Sequence, residues 1–206
     1  MAFARKTLLV LAATIVVGGA SGQAFAETVI RKSTSYFQVR GKTAEQLDKE
    51  LSYRGPMTKS TGSRHPGATR IKFGGSVTYA QQGGRCRIDS AKITLSTQII
   101  LPEWKGRKGA SKDLQLVWDT LARDIKRHEE RHAEIARNYA RSMEKAILKL
   151  PPQRTCAAMK AKVAKVSRDE IDRHDRDQMR FDRIEAANFD SRMIRLLRYR
   201  LKAKSE

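Results

Sequence analysis

The residues with the clearest chemical potential are two histidines, His128 and His132, which are four positions apart. Residues at this spacing lie one above the other on the same face of an α-helix, so both imidazoles can reach one ion. Glu129 then lies about 100° around the helix, beside such an ion rather than on it. This is the H-E-x-x-H pattern, in which two histidines bind zinc and the glutamate takes a proton from water.

Apolar residues on both sides of the motif recur at helical period and predict one long helix over residues 112–150. The predicted inward stripe consists of Leu114, Val117, Trp118, Leu121, Ile125, Ile135, Tyr139, Met143, Ile147 and Leu150. Both histidines fall on this stripe, where each must be satisfied or be desolvated at a cost. One zinc ion would satisfy both, whereas the alternative is internal hydrogen bonding without a metal.

A catalytic zinc ion normally has three protein ligands, with water in the fourth position. The extended motif that places a third histidine six residues after the second is absent, because Asn138 occupies that position and Ile135 replaces its glycine. The third ligand must therefore come from a different element.

We expect that element to be a helix within residues 153–206, which returns antiparallel to the first after the break at Pro151 and Pro152. If both helices rise equally from the break, His174 lies level with His128, and Glu185 overshoots by about 15 Å. His174 is therefore the predicted third ligand. Glu170 and Glu185 are the carboxylate alternatives.

Residues 1–26 have the pattern of an export signal. Arg5 and Lys6 precede an apolar run that is too short to span a bilayer, and small residues stand at Ala24 and Ala26, where a signal peptidase reads. We expect cleavage after Ala26, which leaves a periplasmic or secreted mature chain of residues 27–206.

The chain has two cysteines, Cys86 and Cys156. In an oxidising compartment an isolated pair predicts one disulfide. Zinc thiolate ligands are not expected, because these cysteines lack the short paired spacing of such sites.

The chain carries 42 lysines and arginines against 22 acidic residues, a formal charge of +20. This charge favours anionic partners such as lipid head groups or surface polysaccharide, and export makes nucleic acid the least expected of them. Near the C-terminus, arginines flank a face shared by Met193, Leu196, Leu197 and Leu201, which predicts a basic amphipathic helix. We expect it to dock on the domain, and the alternative is an anionic envelope surface.

Residues 27–104 read mainly as strands and turns. Together with the helices, they predict an α+β fold in which a small antiparallel sheet precedes a long antiparallel helix pair carrying the motif. Residues 27–206 would form a single zincin-like domain.

Several further motifs occur in a recognisable order along most of the mature chain. They are Tyr36, Val39, Gly41, Thr43, Gly55-Pro56, Cys86 with Ile88, Leu101-Pro102 with Trp104, Trp118, the His128 to His132 motif, Cys156 and Phe181-Asp182. In these features the chain resembles a bacterial family of predicted secreted zinc-dependent proteases, catalogued as a domain of unknown function. The resemblance implies an exported zinc metallopeptidase that acts on peptides or proteins, with His128 and His132 as ligands and Glu129 as base.

The chain departs from the family at one place. In the family, a threonine and then a His-Gly pair follow the aromatic-Asp pair, whereas here Glu185 and then Ala187-Asn188 occupy those positions. If the family histidine binds metal, Glu185 or His174 must substitute for it. The alternative function is a non-catalytic periplasmic protein with a degenerate metal site, which uses its positive charge to bind the envelope.

Overall fold

The computed structural model describes residues 25–58 and 62–205 of the 206-residue chain. Most of the predicted export signal, residues 1–24, lies outside the described residues. The elements are β1 (Phe25–Val39), α1 (Ala44–Arg54), β2 (Ala68–Gln82), β3 (Arg85–Trp104), a short 3-10 turn (Arg107–Gly109), α2 (Lys112–Leu148), α3 (Cys156–Ala187) and α4 (Phe189–Ser205). The predicted α+β class is confirmed, because a small sheet is followed by helices.

In the described part of the chain, three strands form one sheet in the order β1-β3-β2. The predicted antiparallel pairing holds for β2 and β3, which are joined by Gly83 and Gly84 with φ of 59° and 70°. These positive φ values suit a tight hairpin turn. In contrast, β1 runs parallel to β3, with Thr28 beside Ile93. Parallel strands need a long connection, and the chain between them supplies it through α1 and β2.

Helix α2 begins after Ser111, whose side chain accepts a hydrogen bond from the Leu114 amide. Its buried face lies against the sheet, where small side chains allow close approach. The main core comprises Ala91, Ile93, Leu95, Ala136, Ala140, Met143, Ile147 and Val163. Val117, expected on the inward stripe, is 40% exposed. Alanines form much of the face of α2 that packs against the sheet. Because alanines contribute little to a hydrophobic pattern, the predicted stripe was placed partly on the wrong side of the helix.

Helix α3 runs antiparallel to α2, as predicted, with Met159 and Val163 buried. At its start, the sulphur atoms of Cys86 and Cys156 lie 2.09 Å apart, which is a disulfide distance. Helix α4 then crosses the first half of α2, where Arg192 contacts Asp124. None of the helices within residues 25–58 and 62–205 has the length and apolarity needed to cross a membrane.

Candidate metal centre

Three side chains converge where the middle of α2 meets the distal half of α3. His132 Nε2 lies 3.0 Å from His128 Nε2 and 2.9 Å from Asp182 Oδ1. His128 Nε2 lies 3.4 Å from the same carboxylate oxygen. Ligand atoms around tetrahedral zinc, with bonds of about 2.0–2.1 Å, are separated by roughly 3.3 Å. The donor types and their spacing therefore fit one face of a zinc coordination tetrahedron.

The structure brings Asp182, rather than the predicted His174, to the histidine pair. Gln178 lies beside His132, so α3 is displaced by about two helical turns from the predicted register. The prediction counted both helices from the two prolines, whereas α2 ends at Leu148 and α3 begins at Cys156. If those two ends lay level, Arg176 would face His128, which is a shift of only two residues. Most of the displacement arises because α3 begins beyond the end of α2, as the contacts of Tyr139 with Asp177 and of Arg127 with Glu185 also show.

His174 is buried one turn away, behind Gln178. The Gln178 side-chain amide donates to His174 Nε2 at 2.8 Å, and His174 Nδ1 donates to Asp175 at 2.8 Å. The His174 ring also packs edge-on against Phe73 and Tyr139. Both ring nitrogens thus have partners other than the histidine pair. The alternative suggested by its charged neighbours, a solvated face, is also wrong, because His174 is buried.

Gln178 also fixes the orientation of His132. Its side-chain oxygen accepts a hydrogen bond from His132 Nδ1, and its nitrogen donates to the His132 carbonyl at 3.1 Å. With Nδ1 held in this way, Nε2 is the nitrogen presented to Asp182 and His128. A hydrogen bond to the remote ring nitrogen is how metal-binding histidines are commonly oriented.

Phe181 forms an apolar wall beside both imidazoles. Its ring stacks on His128 at a centroid distance of 5.0 Å and meets His132 edge-on at 5.1 Å. Since Phe181 directly precedes Asp182, one turn of α3 supplies both the wall and the carboxylate.

Glu129 points toward the sheet and is only 6% exposed, so it is more deeply buried than either histidine of the motif. Thr69 Oγ1 lies 2.9 Å from its Oε2 and 2.8 Å from its main-chain carbonyl. Gly67 packs so closely that a β-carbon there would lie 3.0 Å from Glu129 Oε1 and 2.7 Å from Ile125 Cγ2. Glu129 is therefore confined between α2 and the start of β2.

Burial and neighbouring groups shift the pKa values of Glu129, Asp182 and His132. Burial raises the pKa of Glu129, and the nearby His132, His128 and Thr69 offset this only in part. Burial alone would raise the Asp182 pKa, but hydrogen bonds from His128 and His132 outweigh it and lower that pKa. Burial alone would lower the His132 pKa, but its bonds to Asp182 and Gln178 raise it. Asp182 is thus favoured as an anion, the form in which a carboxylate binds zinc, whereas the raised His132 pKa favours an imidazolium that must lose its proton before it can bind zinc.

The two carboxylates considered as alternative ligands have other partners. Glu185 forms ion pairs with Arg127 and Arg192, and lies 3.7 Å from His128 Nδ1, at the edge of the group. Glu170 is 2% exposed and accepts a hydrogen bond from Arg173 at 2.7 Å. Neither belongs to the three-residue group.

Sequence reasoning named neither Asp182 as a ligand nor Gln178 as its neighbour. Both lie on the stripe of α3 that contains His174, at successive steps of four residues. That stripe was the available signal, and the path of the connection, which starts α3 beyond the end of α2, determined which of its members meets the histidines.

Residues 34–189 match the model of a family described as "Bacterial protein of unknown function (DUF922)". The matched range runs from within β1 to the first residue of α4, so it contains the whole candidate metal centre. No curated protein and no solved structure matches the chain.

Proposed function

The chain belongs to this bacterial family of unknown function, and we propose that it is an exported zinc-dependent metallopeptidase. The observation that carries the proposal is the convergence of His128, His132 and Asp182 at zinc-ligand spacing, with Glu129 adjacent in sequence and buried. Asp182 takes the place that His174 was predicted to fill. The disulfide distance between Cys86 and Cys156 supports export, because disulfides persist in oxidising compartments.

His128, His132 and Asp182 would hold the ion, leaving its fourth position for water or substrate. A zinc ion there would lower the pKa of its water to near neutrality and polarise the scissile carbonyl. Asp182 carries the negative charge of the ligand set, and Gln178 keeps the His132 ring turned toward it.

Glu129 is the proposed general base. It would accept a proton from the attacking water and pass it to the leaving amine nitrogen. Thr69 holds Oε2, and burial raises the carboxyl pKa, which makes the carboxylate a stronger proton acceptor. A base whose pKa moves toward the working pH is more effective in both proton transfers.

A cleft of about 200 Å³ near the base offers room for part of a substrate. Its lining residues are Asp48, Leu51, Ser52, Arg64, Pro66, Leu121, Ile125 and Phe189. Two of its lining residues place the cleft near Glu129. Ile125 lies one helical turn before Glu129, and Pro66 precedes Gly67, which packs against both of those side chains. This mainly apolar cleft with a charged rim has the character of a site for an apolar side chain.

Glu129→Gln separates binding from chemistry. We expect the variant to keep its fold and its zinc, because Glu129 is not a ligand, and to lose hydrolysis of an unfolded protein substrate by at least about a hundredfold. Zinc content and proteolysis are measured on the same zinc-loaded sample.

Glu130→Gln is the matched control, since Glu130 is the next residue on the same helix and, among the residues that the structure describes, pairs only with Lys32 in an exposed ion pair. It should behave like the unmodified protein. An active Glu129→Gln protein, or one that has lost its metal, would show that Glu129 has been given the wrong role.

A further inference from the structure

The outer face of α4 combines exposed apolar side chains with cations. Ile194, Tyr199 and Leu201 are 50%, 72% and 53% exposed. Ile194 and Leu201 are seven residues apart and so lie on one stripe of the helix, with Arg198 between them. Arg195 and Lys202 are also exposed on this side. We name these six residues the outer face of α4.

The inner face of α4 is held to the rest of the molecule by specific contacts. Arg192 donates two hydrogen bonds to Asp124 of α2, at 3.0 and 3.1 Å, and also pairs with Glu185 of α3. Farther along, Arg200 donates to Thr120 at 2.6 Å. Of the apolar residues expected to dock, Met193, Leu196 and Leu197 are partly buried. The expectation was wrong for Leu201, which is exposed because it lies on the opposite side of the helix from Arg192 and Arg200. Docking therefore uses one side of the helix and leaves the outer face in solvent.

The outer face has a single sign of charge. Asp190 is the one acidic residue of residues 189–205, and it lies in the first turn. Within the described part of the chain, neither Arg195 nor Arg198 forms an ion pair with an acidic side chain. Their charge is available to an anionic partner.

We propose that the outer face of α4 binds the surface of an anionic lipid bilayer. A bilayer interface can take up both kinds of group at once, because apolar side chains enter the head-group boundary while arginines and lysines contact lipid phosphates. A soluble polyanion would use the cations and leave Ile194 and Leu201 in water. The long basic side chains can also extend to the head groups while their stems lie along the apolar boundary.

This surface is separate from the metal centre, so the proposal stands whether or not the protein is a peptidase. The residues of α4 that hold the helix in place, Arg192 and Arg200, are not part of the outer face. Substitutions on the outer face should therefore leave the fold intact.

The test is sedimentation of the purified mature chain with vesicles of phosphatidylglycerol and phosphatidylcholine in equal parts, or of phosphatidylcholine alone. We expect binding to the anionic vesicles only. Ile194→Ser with Leu201→Ser, and Arg195→Glu with Arg198→Glu, should each weaken that binding at least about tenfold. Circular dichroism confirms the fold, and the single variants Leu201→Ser and Arg198→Glu replace any double variant that does not fold.

Arg70→Glu with Lys72→Glu is the matched control, because it makes the same change in net charge at exposed positions of β2. It should lower binding much less than the α4 variants. An equal loss in this control would mean that net charge alone attracts the vesicles, and unchanged binding of the Ile194/Leu201 variant would indicate a polyanion site. Either result, or no binding by the unmodified protein, would overturn the proposal.

Discussion

Asp182 is the residue on which the proposed zinc site depends most. It contributes the only carboxylate of the group, and its oxygen lies within 3.4 Å of both imidazole nitrogens. In contrast, His174 makes its contacts with Gln178 and Asp175. Asp182 and His174 are therefore the two candidates for the third zinc ligand, and substitutions can distinguish them.

We expect Asp182→Ala to lower zinc affinity by more than about a hundredfold, because two protein ligands hold zinc weakly. His174→Ala should lower it by at most about tenfold, acting only through Gln178. Competition with a chromophoric chelator measures both. A larger loss in the His174 variant would reinstate the ligand predicted from the sequence.

Gln178 is expected to act as a positioning residue. Gln178→Leu removes the acceptor for His132 Nδ1 and should reduce zinc affinity by about tenfold. Gln178→Glu retains an acceptor at the same reach and should restore most of that affinity. If the leucine variant binds zinc as tightly as the unmodified protein, the His132 ring is oriented by something else.

At the scale of single residues, the sequence predicted the relative positions that depend on local spacing. His128, Glu129 and His132 lie within two turns of one helix, so their relative positions follow from helix geometry alone. Asp182 belongs to another helix, and its position depends on how seven residues between α2 and α3 are folded. No periodicity in the sequence contains that information.

At the scale of elements, the connection between α2 and α3 sets the register of the site. It is bound to the start of β3, since the Cys86 amide donates to the Gln153 carbonyl at 2.8 Å and the Gln153 amide returns a bond of 2.9 Å. Cys156 follows at the first position of α3, at disulfide distance from Cys86. These contacts anchor α3 to the sheet, and so hold Asp182 opposite the histidines.

The disulfide remains a prediction for the exported protein. Closing a chain separation of 70 residues should stabilise the fold by about 4 kcal/mol in the chain-entropy model. Replacing both cysteines with serine should therefore lower the free energy of unfolding by about that amount in urea titrations. Alkylation and mass spectrometry of non-reduced protein provide the independent check, and two free thiols would refute the assignment.

The elements themselves were largely accessible from sequence. Both long helices and the hairpin of β2 and β3 follow from periodicity, caps and glycines, because these signals are local. The parallel pairing of β1 with β3 was not predicted, because strand direction across a sheet depends on the path of the chain through α1 and β2. The burial of Glu129 was not predicted either. The face of α2 that meets the sheet contains Ala133, Ala136 and Ala140, and alanines contribute little to the hydrophobic pattern from which buried faces are predicted.

At the scale of the whole molecule, the inner face of α4 contacts both helices that form the candidate metal centre. Arg192 reaches both Asp124 of α2 and Glu185 of α3, and Glu185 lies next to His128. Burial alone would raise the Asp124 pKa, but Arg192 and Arg127 outweigh it and lower that pKa. The contribution of Asp124 to stability is therefore present at neutral pH and is lost as the pH falls through its lowered folded-state pKa.

Metal content is the decisive test of whether α2 and α3 together hold one zinc ion. Mature protein, loaded with zinc and freed of excess metal, should contain about one zinc per chain, given one three-ligand site. His132→Ala should contain almost none, while Glu130→Gln should match the unmodified protein. Elemental analysis that finds no zinc in the unmodified protein, or an undiminished amount in His132→Ala, would show that these helices do not form a zinc site.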